Sequence, residues 1–435
     1  MPPETVRAFA AILVRTERLS RKQLRDYQLS LLVKLLAHAQ QTTAFYKDRI
    51  GFDVHDAAQI ARFWSDIPVL KRADIADNPA KLFSRFIPPE AGPVISGETT
   101  GSTATPLKFK ITAAQGVAAR ALTERMFRWW SVDGNKRFAQ ISHDKSETPP
   151  PPQGRTTFGW HSEAPAGVKY FLSHALDIDA QLHWLSLRRP DYVGSYSSIL
   201  KELALTAKRQ SMDLKFDLMF SFGTSVDRET RAACRSAFGT EIADTYGAQE
   251  TEHIAAQCPD CGEYHISAES SFVEVLRPDG SCCAPREVGR VIVTPLYNYA
   301  MPLIRYDIGD IAEAGSSTPS CGRRLPTLRR ILGRYRNMFR FRDGTTKWPF
   351  VDNIRLLDFI AAKQWQLVQT DWDHIEIRYV PQSAAAPQAI NSEALTTRVR
   401  NVLGQPVEVV LRPVDSIPRS SNGKYEDCIS LIPAE

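Results

Sequence analysis

The chain has 435 residues, enough for two domains at roughly 100–200 residues each. Its apolar share of 43% and charged share of 24% match those of ordinary globular proteins, which excludes a disordered chain, a collagen-like chain and a small disulfide scaffold. The 54 basic and 49 acidic side chains leave a net charge of +5, too little to make nucleic acid the main partner.

The N-terminal segment argues against a secretory signal. Arg7 and Arg15 interrupt its one short apolar stretch, so it lacks the apolar core of a signal peptide. No run of about 18 apolar residues occurs along the chain, which predicts that it has no membrane span. The sequence therefore predicts a cytoplasmic protein whose thiols are reduced.

Local patterns predict several elements in chain order. Ser20 and Gln23 form a capping-box pattern at the start of a helix. Residues 115–130 have the apolar spacing of a second helix. Strands are predicted at residues 272–276 and 289–294, with a Pro-Asp-Gly turn between them.

The C-terminal part of the sequence is typical of a compact α+β unit. Its pattern predicts two strands, a helix and a further strand, at residues 365–369, 374–380, 393–403 and 407–411. Gly404 follows the helix as a normal C-cap. We therefore predict two domains, residues 1–333 and 334–435, with the boundary near Gly333.

A loop of small residues runs from Ser96 to Pro106 and holds six hydroxyl residues and two glycines. Backbone N–H groups and hydroxyls in such a loop can close around phosphate oxygens. The loop lacks the spacing of a Walker A motif. On composition alone, a phosphate-binding loop and an ordinary surface loop both remain open.

Three further segments each combine a charged residue with a nearby glycine. Glu250 follows a short strand and a Tyr-Gly pair, where a carboxylate can hold Mg²⁺ beside a nucleotide. Asp310 is predicted at a strand end, where it can accept hydrogen bonds from ribose hydroxyls. Lys424 stands after a glycine in a polar segment. Taken singly, the Glu250 segment is a weak signal, the Asp310 segment fits a surface turn equally well, and a solvated side chain is the default interpretation of Lys424.

Together and in this order, the four segments resemble the adenylate-forming ligase superfamily, and within it the phenylacetate–CoA ligase branch, which includes capsule-biosynthesis ligase-like proteins. The matching stretches are Thr100–Leu107, Tyr246–Glu250, Gly289–Leu296, Pro302–Asp310, Gly333-Arg334 and Ile417–Lys424. The resemblance implies an α/β fold with a large multi-layer N-terminal domain of mixed β-sheets and helices. It also implies a small, mobile α+β C-terminal domain that carries a catalytic lysine.

The resemblance implies a ligase that uses ATP and Mg²⁺ to convert a carboxylic acid to an acyl-adenylate. The acyl group then passes to a thiol, most commonly that of coenzyme A, with an amine or a carrier-protein thiol as the alternative. Lys424 and Glu250 would be catalytic, the first bridging the acid and the α-phosphate and the second holding Mg²⁺. The nucleotide would be held by Thr100, Gly101, Ser102, Thr103, Thr105, Tyr246, Gly247, Asp310 and Arg334.

The acid pocket in this resemblance is lined by Tyr196, Phe222, Gly223, Ala248 and Ile254, which suits an aryl or medium acyl group. The resemblance leaves open whether the chain forms a homodimer. Ala104, Gln249 and Asn337 depart from the branch pattern, but none of them removes a charged group. Basic residues cluster between residues 323 and 342, and a solvated basic face is favoured over a site for coenzyme A phosphates.

A cysteine cluster is the remaining pattern. Cys258, Cys261 and His265 follow a C-x2-C-x3-H spacing, and Cys321 comes later in the chain. A C-x2-C pair closed by a turn glycine is typical of half of a structural zinc site, so we predict Zn²⁺ on these four residues. The competing ligands are His253, Cys282 and Cys283, and a turn without metal is the alternative.

A zinc-ribbon module that binds nucleic acid belongs to a different class of protein. It would need a second half-site and a concentrated basic domain, and neither is clear in the sequence.

Overall fold

The computed structural model describes residues 3–76, 78–99, 106–143, 153–349, 351–382, 391–418 and 425–433. Within them the α-helices are α1 Pro3–Thr16, α2 Arg21–Thr42, α3 Ala57–Phe63, α4 Arg72–Ala76, α5 Ala113–Trp129, α6 Ile178–Arg188, α7 Ser197–Arg209, α8 Arg228–Phe238, α9 Val351–Ile354 and α10 Ser392–Leu403. The β-strands are β1 Val94–Glu98, β2 Lys108–Thr112, β3 Phe138–Ser142, β4 Arg155–Phe158, β5 Val168–Ser173, β6 Tyr192–Ser195, β7 Leu218–Phe222, β8 Ile242–Ala248, β9 Glu252–Gln257, β10 Tyr264–Ile266, β11 Ser271–Leu276, β12 Val288–Pro295, β13 Tyr306–Ala314, β14 Thr327–Arg334, β15 Phe339–Arg340, β16 Thr346–Lys347, β17 Ala362–Asp371, β18 His374–Pro381, β19 Glu408–Pro413 and β20 Cys428–Ser430.

Twelve strands form one mixed sheet in the order β11-β12-β13-β14-β10-β9-β8-β7-β6-β3-β5-β4. The strands β5, β3, β6, β7 and β8 run parallel to their neighbours within this block. From β8 onward the pairing is antiparallel, through β9, β10 and β14 to β11. The sheet therefore joins a parallel half to an antiparallel half at β8.

Apolar residues alternate along the parallel strands and cover both faces of the sheet. Met219 packs in one hydrophobic core with residues of α6, α7 and α8, whereas its neighbour Phe220 packs in a second core with residues of α2 and α5. Ile242 and Ala243 divide between the two cores in the same way. This period-two alternation is what a strand buried between two helical layers requires.

Local capping fixes where several helices begin and end. The Ser20 hydroxyl accepts a hydrogen bond from the Gln23 N–H and the Gln23 side chain accepts one from the Ser20 N–H, so the predicted capping box is confirmed. Asp227 caps α8 in a similar way, and Gly404 ends α10 in the left-handed conformation, as predicted. The predicted helix at 115–130 begins two residues earlier, at Ala113.

A separate four-stranded sheet, in the order β19-β18-β17-β20, lies in the C-terminal part of the chain. Together with α10 it encloses its own hydrophobic core, which includes Phe339, Leu367 and Leu403. The predicted strands at 365–369 and 374–380 are therefore present, each somewhat longer than expected. The boundary between residues 333 and 334 and the mobility of this unit stay predictions.

None of the helices formed by the described residues has the length and apolar character needed to cross a bilayer.

Candidate active site

A cleft of 1580 Å³ opens beyond the carboxyl ends of the parallel strands. His143 follows β3, Tyr196 follows β6, Gly223 follows β7 and Gln249 follows β8, and all four line the cleft. Trp365 and residues 425–428 of the C-terminal part line its other side. Polar groups converge at such strand ends because they emerge together from the edge of a parallel sheet.

A buried polar cluster at this edge unites three of the predicted nucleotide-binding residues. The Tyr246 hydroxyl donates a hydrogen bond to Asp310 Oδ2 at 2.8 Å. Arg334 Nε lies 3.2 Å from Asp310 Oδ1, and the Arg334 guanidinium also donates to the Ile308 carbonyl at 2.9 Å. The structure thus brings together residues that lie far apart in the sequence.

Asp310 is not at a strand end, so the prediction of its local structure is wrong. It lies inside β13 and pairs with Arg334 of β14, beside a register shift at Ile311. The Gly309-Asp310 pair suggested a turn because glycine with a positive φ, here 79°, often marks one. The strand instead continues through this irregularity and keeps the carboxylate largely buried beside the cleft.

Glu250 lies two residues beyond β8 and is buried, with 5% of its surface exposed. Its Oε1 accepts a hydrogen bond from the Tyr306 hydroxyl at 3.2 Å. Among the described residues no partner reaches its Oε2, and Glu250 lines the cleft. A carboxylate oxygen free to face the cleft is the kind of hard ligand that Mg²⁺ prefers.

Two glycines allow the close approaches that form this site. A Cβ atom at Gly247 would clash with the Glu252 carbonyl oxygen across the β8–β9 pair. Gly333 has a φ of 144°, and a Cβ there would clash with the ring of Trp348. Both positions therefore need glycine, the first for the strand pairing beside the nucleotide cluster and the second where β14 leads toward the C-terminal part.

Four of the five predicted acid-binding residues line this cleft. The Tyr196 and Phe222 rings meet edge to face at 5.4 Å, and Gly223 and Ala248 line the cleft with them. Ile254 is fully buried in the hydrophobic core and does not line the cleft, so its assignment to the pocket is wrong.

The residues before Ile254, Glu252 and His253, line the cleft instead. Glu252 has a φ of 59°, and a register shift lies opposite it between Tyr246 and Gly247. The sequence analysis named His253 only as a competing zinc ligand and did not name Glu252. The available signal was a second carboxylate two residues after the Tyr-Gly-Ala-Gln-Glu motif.

The predicted phosphate-binding residues Thr100, Gly101, Ser102, Thr103 and Thr105 lie outside the described residues, and so does Lys424. Their flanks are described. The Thr99 N–H donates to the Leu107 carbonyl at 2.9 Å, and the Leu107 N–H donates to Thr99 Oγ1 at 2.9 Å. Thr99 and Tyr425 both line the cleft.

The basic residues between 323 and 342 are largely paired with acids. Arg323 pairs with Asp260, and Arg329 and Arg330 both pair with Glu313. These pairs favour the solvated basic face over a dedicated site for the phosphates of coenzyme A.

The four predicted metal ligands lie together. The ligand atoms of Cys258, Cys261, His265 and Cys321 all fall within 4.8 Å of one another. His265 Nε2 is 3.2 Å from Cys321 Sγ and 3.9 Å from Cys261 Sγ. A tetrahedral zinc site with bonds of about 2.0–2.3 Å places its ligand atoms about 3.5–4 Å apart, so the cluster has a fitting size.

The surroundings of His265 also suit a metal ligand. Its Nδ1 lies 3.4 Å from the Leu325 carbonyl, a partner that would hold the proton on Nδ1 and leave Nε2 toward the thiols. Burial lowers the pKa of His265 to about 4, so the ring is neutral at physiological pH. His253 bonds Ser267 instead, and Cys282 and Cys283 follow β11; none of these competitors joins the cluster found among the described residues.

Comparison with known proteins shows which sequences the chain resembles. Residues 351–430 match the model of the CapK C-terminal domain. The chain is 22% identical to phenylacetate–coenzyme A ligase of Thermus thermophilus over 95% of its own length and 98% of that protein. It is 23% identical to protein CapK of Staphylococcus aureus over 56% of this chain and 54% of that one.

The fold comparison agrees. The chain matches the structure of 2-hydroxyisobutyryl-CoA ligase in the post-adenylation state, with 2-HIB-AMP bound, with a TM-score of 0.76. The two sequences are 19% identical, and the match covers 96% of this chain and 91% of that one. The same ligase in its thioesterification state is matched with a TM-score of 0.61 and 20% identity, over the same shares of both chains. This chain therefore overlays better on the post-adenylation arrangement.

The chain thus has the fold of the adenylate-forming ligases, and the predicted fold class is confirmed. Its sequence is similar to a phenylacetate–CoA ligase and to a CapK protein, which supports the predicted resemblance to that branch of the AMP-forming enzymes.

Proposed function

We propose that this protein joins a carboxylic acid to the thiol of coenzyme A in two steps, with ATP converted to AMP and pyrophosphate. The observation that carries the proposal is the convergence of Tyr246, Glu250, Asp310 and Arg334 in one cleft at the carboxyl ends of the parallel strands. The names of its relatives, phenylacetate–coenzyme A ligase and 2-hydroxyisobutyryl-CoA ligase, support the same reaction class.

In the first step an oxygen of the acid attacks the α-phosphorus of ATP, and the bond to pyrophosphate breaks. Negative charge builds on the phosphoryl oxygens, so fixed donors and cations there lower the barrier. Thr100, Gly101, Ser102, Thr103 and Thr105 would bind the phosphates, and Lys424 would bridge the acid and the α-phosphate. Glu250 would hold Mg²⁺, which neutralises phosphate charge when bound.

The nucleoside would lie against the buried polar cluster. Asp310 accepts a hydrogen bond from Tyr246 and pairs with Arg334. Its carboxylate would accept hydrogen bonds from the ribose hydroxyls. Tyr246 would pack on the adenine, and Gly247 keeps that surface free of a side chain. The hydrogen bond and the ion pair hold both residues in place before the nucleotide binds, which limits the ordering cost of binding.

In the second step the acceptor thiol attacks the acyl carbonyl and AMP leaves. We propose that the C-terminal domain rotates about Gly333 and Arg334 between the steps and withdraws Lys424 from the cleft. An amine or a carrier-protein thiol remains the alternative acceptor. The small-molecule substrates and the seven free cysteines agree with a cytoplasmic location.

A screen of pyrophosphate release tests this proposal. Aryl, acyl and amino acids are supplied with Mg-ATP, with and without coenzyme A. We expect release that depends on an acid, and a thioester product only when coenzyme A is present. Acid-dependent release that coenzyme A does not change, with an amide formed on adding amines, would assign the alternative acceptor. No release with any acid would contradict the adenylation step.

Glu250→Gln is expected to raise the Mg²⁺ concentration needed for half-maximal rate and to lower turnover. The carboxamide keeps the size of the side chain but loses the charge that holds a hard cation. Thermal unfolding without ATP should change little, because the amide oxygen can still accept from Tyr306. Mg²⁺ titrations of pyrophosphate release check this, and an unchanged Mg²⁺ dependence would remove Glu250 as the ligand.

We also propose that Cys258, Cys261, His265 and Cys321 hold a structural Zn²⁺. Four protein ligands fill a tetrahedral site and leave no position for substrate, so such a site supports the fold and takes no part in catalysis. The support is the close grouping of the four ligand atoms and the Leu325 carbonyl behind His265.

A further inference from the structure

Two polar side chains in the acid end of the cleft have no role in the adenylation step. Glu252 and His253 are the first two residues of β9, and they pair with Ala248 and Gly247 of β8. Both line the cleft, together with Tyr196, Phe222 and Ala248. They therefore lie where the acid itself would bind.

The Glu252 carboxylate has no hydrogen-bond or ion-pair partner among the described residues. Among the residues that the structure describes, the buried glutamates each have a hydrogen-bond or ion-pair partner, namely Glu17 with Arg128, Glu124 with Arg120, Glu250 with Tyr306, Glu269 with Arg125, Glu274 with Arg305, Glu313 with Arg329 and Arg330, and Glu376 with Arg378 and Arg412. Glu252 is partly buried, has no such partner and lines the cleft.

His253 adds an independent observation. Its Nδ1 lies 3.0 Å from Ser267 Oγ, whereas its Nε2 is buried and has no hydrogen-bond partner in the parts of the chain that the structure describes. Burial lowers the pKa of His253 to about 3, so the ring is neutral. A buried polar atom without a partner is costly, and in a substrate pocket it indicates a hydrogen bond that forms when the ligand binds.

Two cations that line the same cleft, Arg120 and Lys201, are engaged by other groups. Arg120 pairs with Glu124 and donates to the Trp160 carbonyl. Lys201 pairs with Asp227 and Glu229. Within the described parts of the chain the Glu252 carboxylate has no ion-pair partner, and a positive group on the ligand would match it best.

We propose that the acid activated by this protein carries an amino group, that Glu252 accepts hydrogen bonds from that group, and that His253 Nε2 makes a second polar contact with the acid. The inference rests on the adenylation function proposed above and names the class of its substrate. Glu252 and His253 are specificity residues here and take no part in the chemistry. An acid without a donor would leave both side chains unpaired, which a site built for hydrogen bonding penalises strongly.

The test compares matched acids in the pyrophosphate-release assay. Benzoate and hexanoate are each supplied unsubstituted and with an amino, hydroxyl or methoxy group at successive positions. In at least one of the two series we expect an amino-substituted acid to have the highest kcat/KM. Its kcat/KM should exceed those of the unsubstituted and methoxy acids by roughly 10-fold or more. Glu252→Gln should bring that ratio close to one. The matched control Glu408→Gln, an exposed residue of β19 away from the cleft, should keep the wild-type ratio.

The outcomes are distinguishable. Equal or better activation of unsubstituted or methoxy acids by the wild-type protein overturns the inference and leaves adenylation standing, and this comparison needs no variant. Preference for the hydroxyl series over the amino series also overturns it. A Glu252→Gln protein that folds and keeps the amino preference removes Glu252 as the acceptor and overturns the inference. No release with any acid contradicts the adenylation function, and the inference falls with it.

Discussion

Lys424→Ala is expected to abolish adenylate formation while the second half-reaction, from a supplied acyl-adenylate, continues largely intact. The lysine would place a positive charge between the acid and the α-phosphate, where negative charge grows in the first transition state. Loss of one such contact costs about 3–4 kcal/mol, or roughly 10²–10³ in rate. In the second half-reaction the lysine would already be outside the cleft, so its removal should matter little.

The contacts of the C-terminal part make this prediction specific. Gln364 donates to Glu202 of α7 at 2.9 Å, and Arg336 pairs with Glu426 at 2.6 Å. A rotation about Gly333 would break the first contact, because the two partners lie on opposite sides of the hinge. Arg336 and Glu426 both lie in the C-terminal part, so their ion pair would move with it and stay intact.

Two assays separate the half-reactions. Acid-dependent exchange of pyrophosphate into ATP reports adenylation, and thioester formation from synthetic acyl-adenylate and coenzyme A reports transfer. Lys215→Ala is a matched control, because Lys215 is exposed and does not line the cleft. Equal loss in both half-reactions would contradict a lysine that acts only in the first arrangement.

Elements coded by neighbouring residues were predictable from the sequence. The capping box at Ser20, the Gly404 stop after α10 and the alternating strands β17 and β18 each follow from a few adjacent side chains. The order of the twelve strands was not predictable, because β10 pairs with β14, which comes four strands later in the chain. Such pairing depends on contacts that no local pattern encodes.

The candidate site also combines features that the sequence predicts with features that only the fold creates. Tyr246, Glu250, Asp310 and Arg334 were named from motifs, yet their hydrogen bond and ion pair arise only when β8, β13 and β14 lie in one sheet. Ile254 was misplaced because the strand's alternation depends on the irregular start of β9 at Glu252, which the sequence does not reveal. That same irregular start lets Glu252 and His253 both line the cleft.

Cys321→Ser is expected to remove zinc from the purified protein and to lower its melting temperature by several degrees. Serine is nearly isosteric with cysteine but is a poor zinc ligand at neutral pH, so the change tests coordination more than packing. Cys321 is distant in sequence from the C-x2-C turn, so the metal would close a long loop, and its binding free energy would count toward folding. About 1 kcal/mol corresponds to roughly 2–4 °C for a domain of about 150–250 residues.

Metal analysis of protein purified without chelator, together with thermal unfolding, checks this expectation. The wild type should contain about one zinc per chain, as a closed four-ligand site holds a single ion. Cys258→Ser should behave like Cys321→Ser, whereas Cys282→Ser, at an exposed cysteine outside the cluster, should keep both zinc and melting temperature. Pyrophosphate release at low temperature should survive in all three, since the proposed mechanism draws on no ion but Mg²⁺. Wild-type protein without zinc would remove the site, and zinc lost in Cys282→Ser but kept in Cys261→Ser would move its fourth ligand.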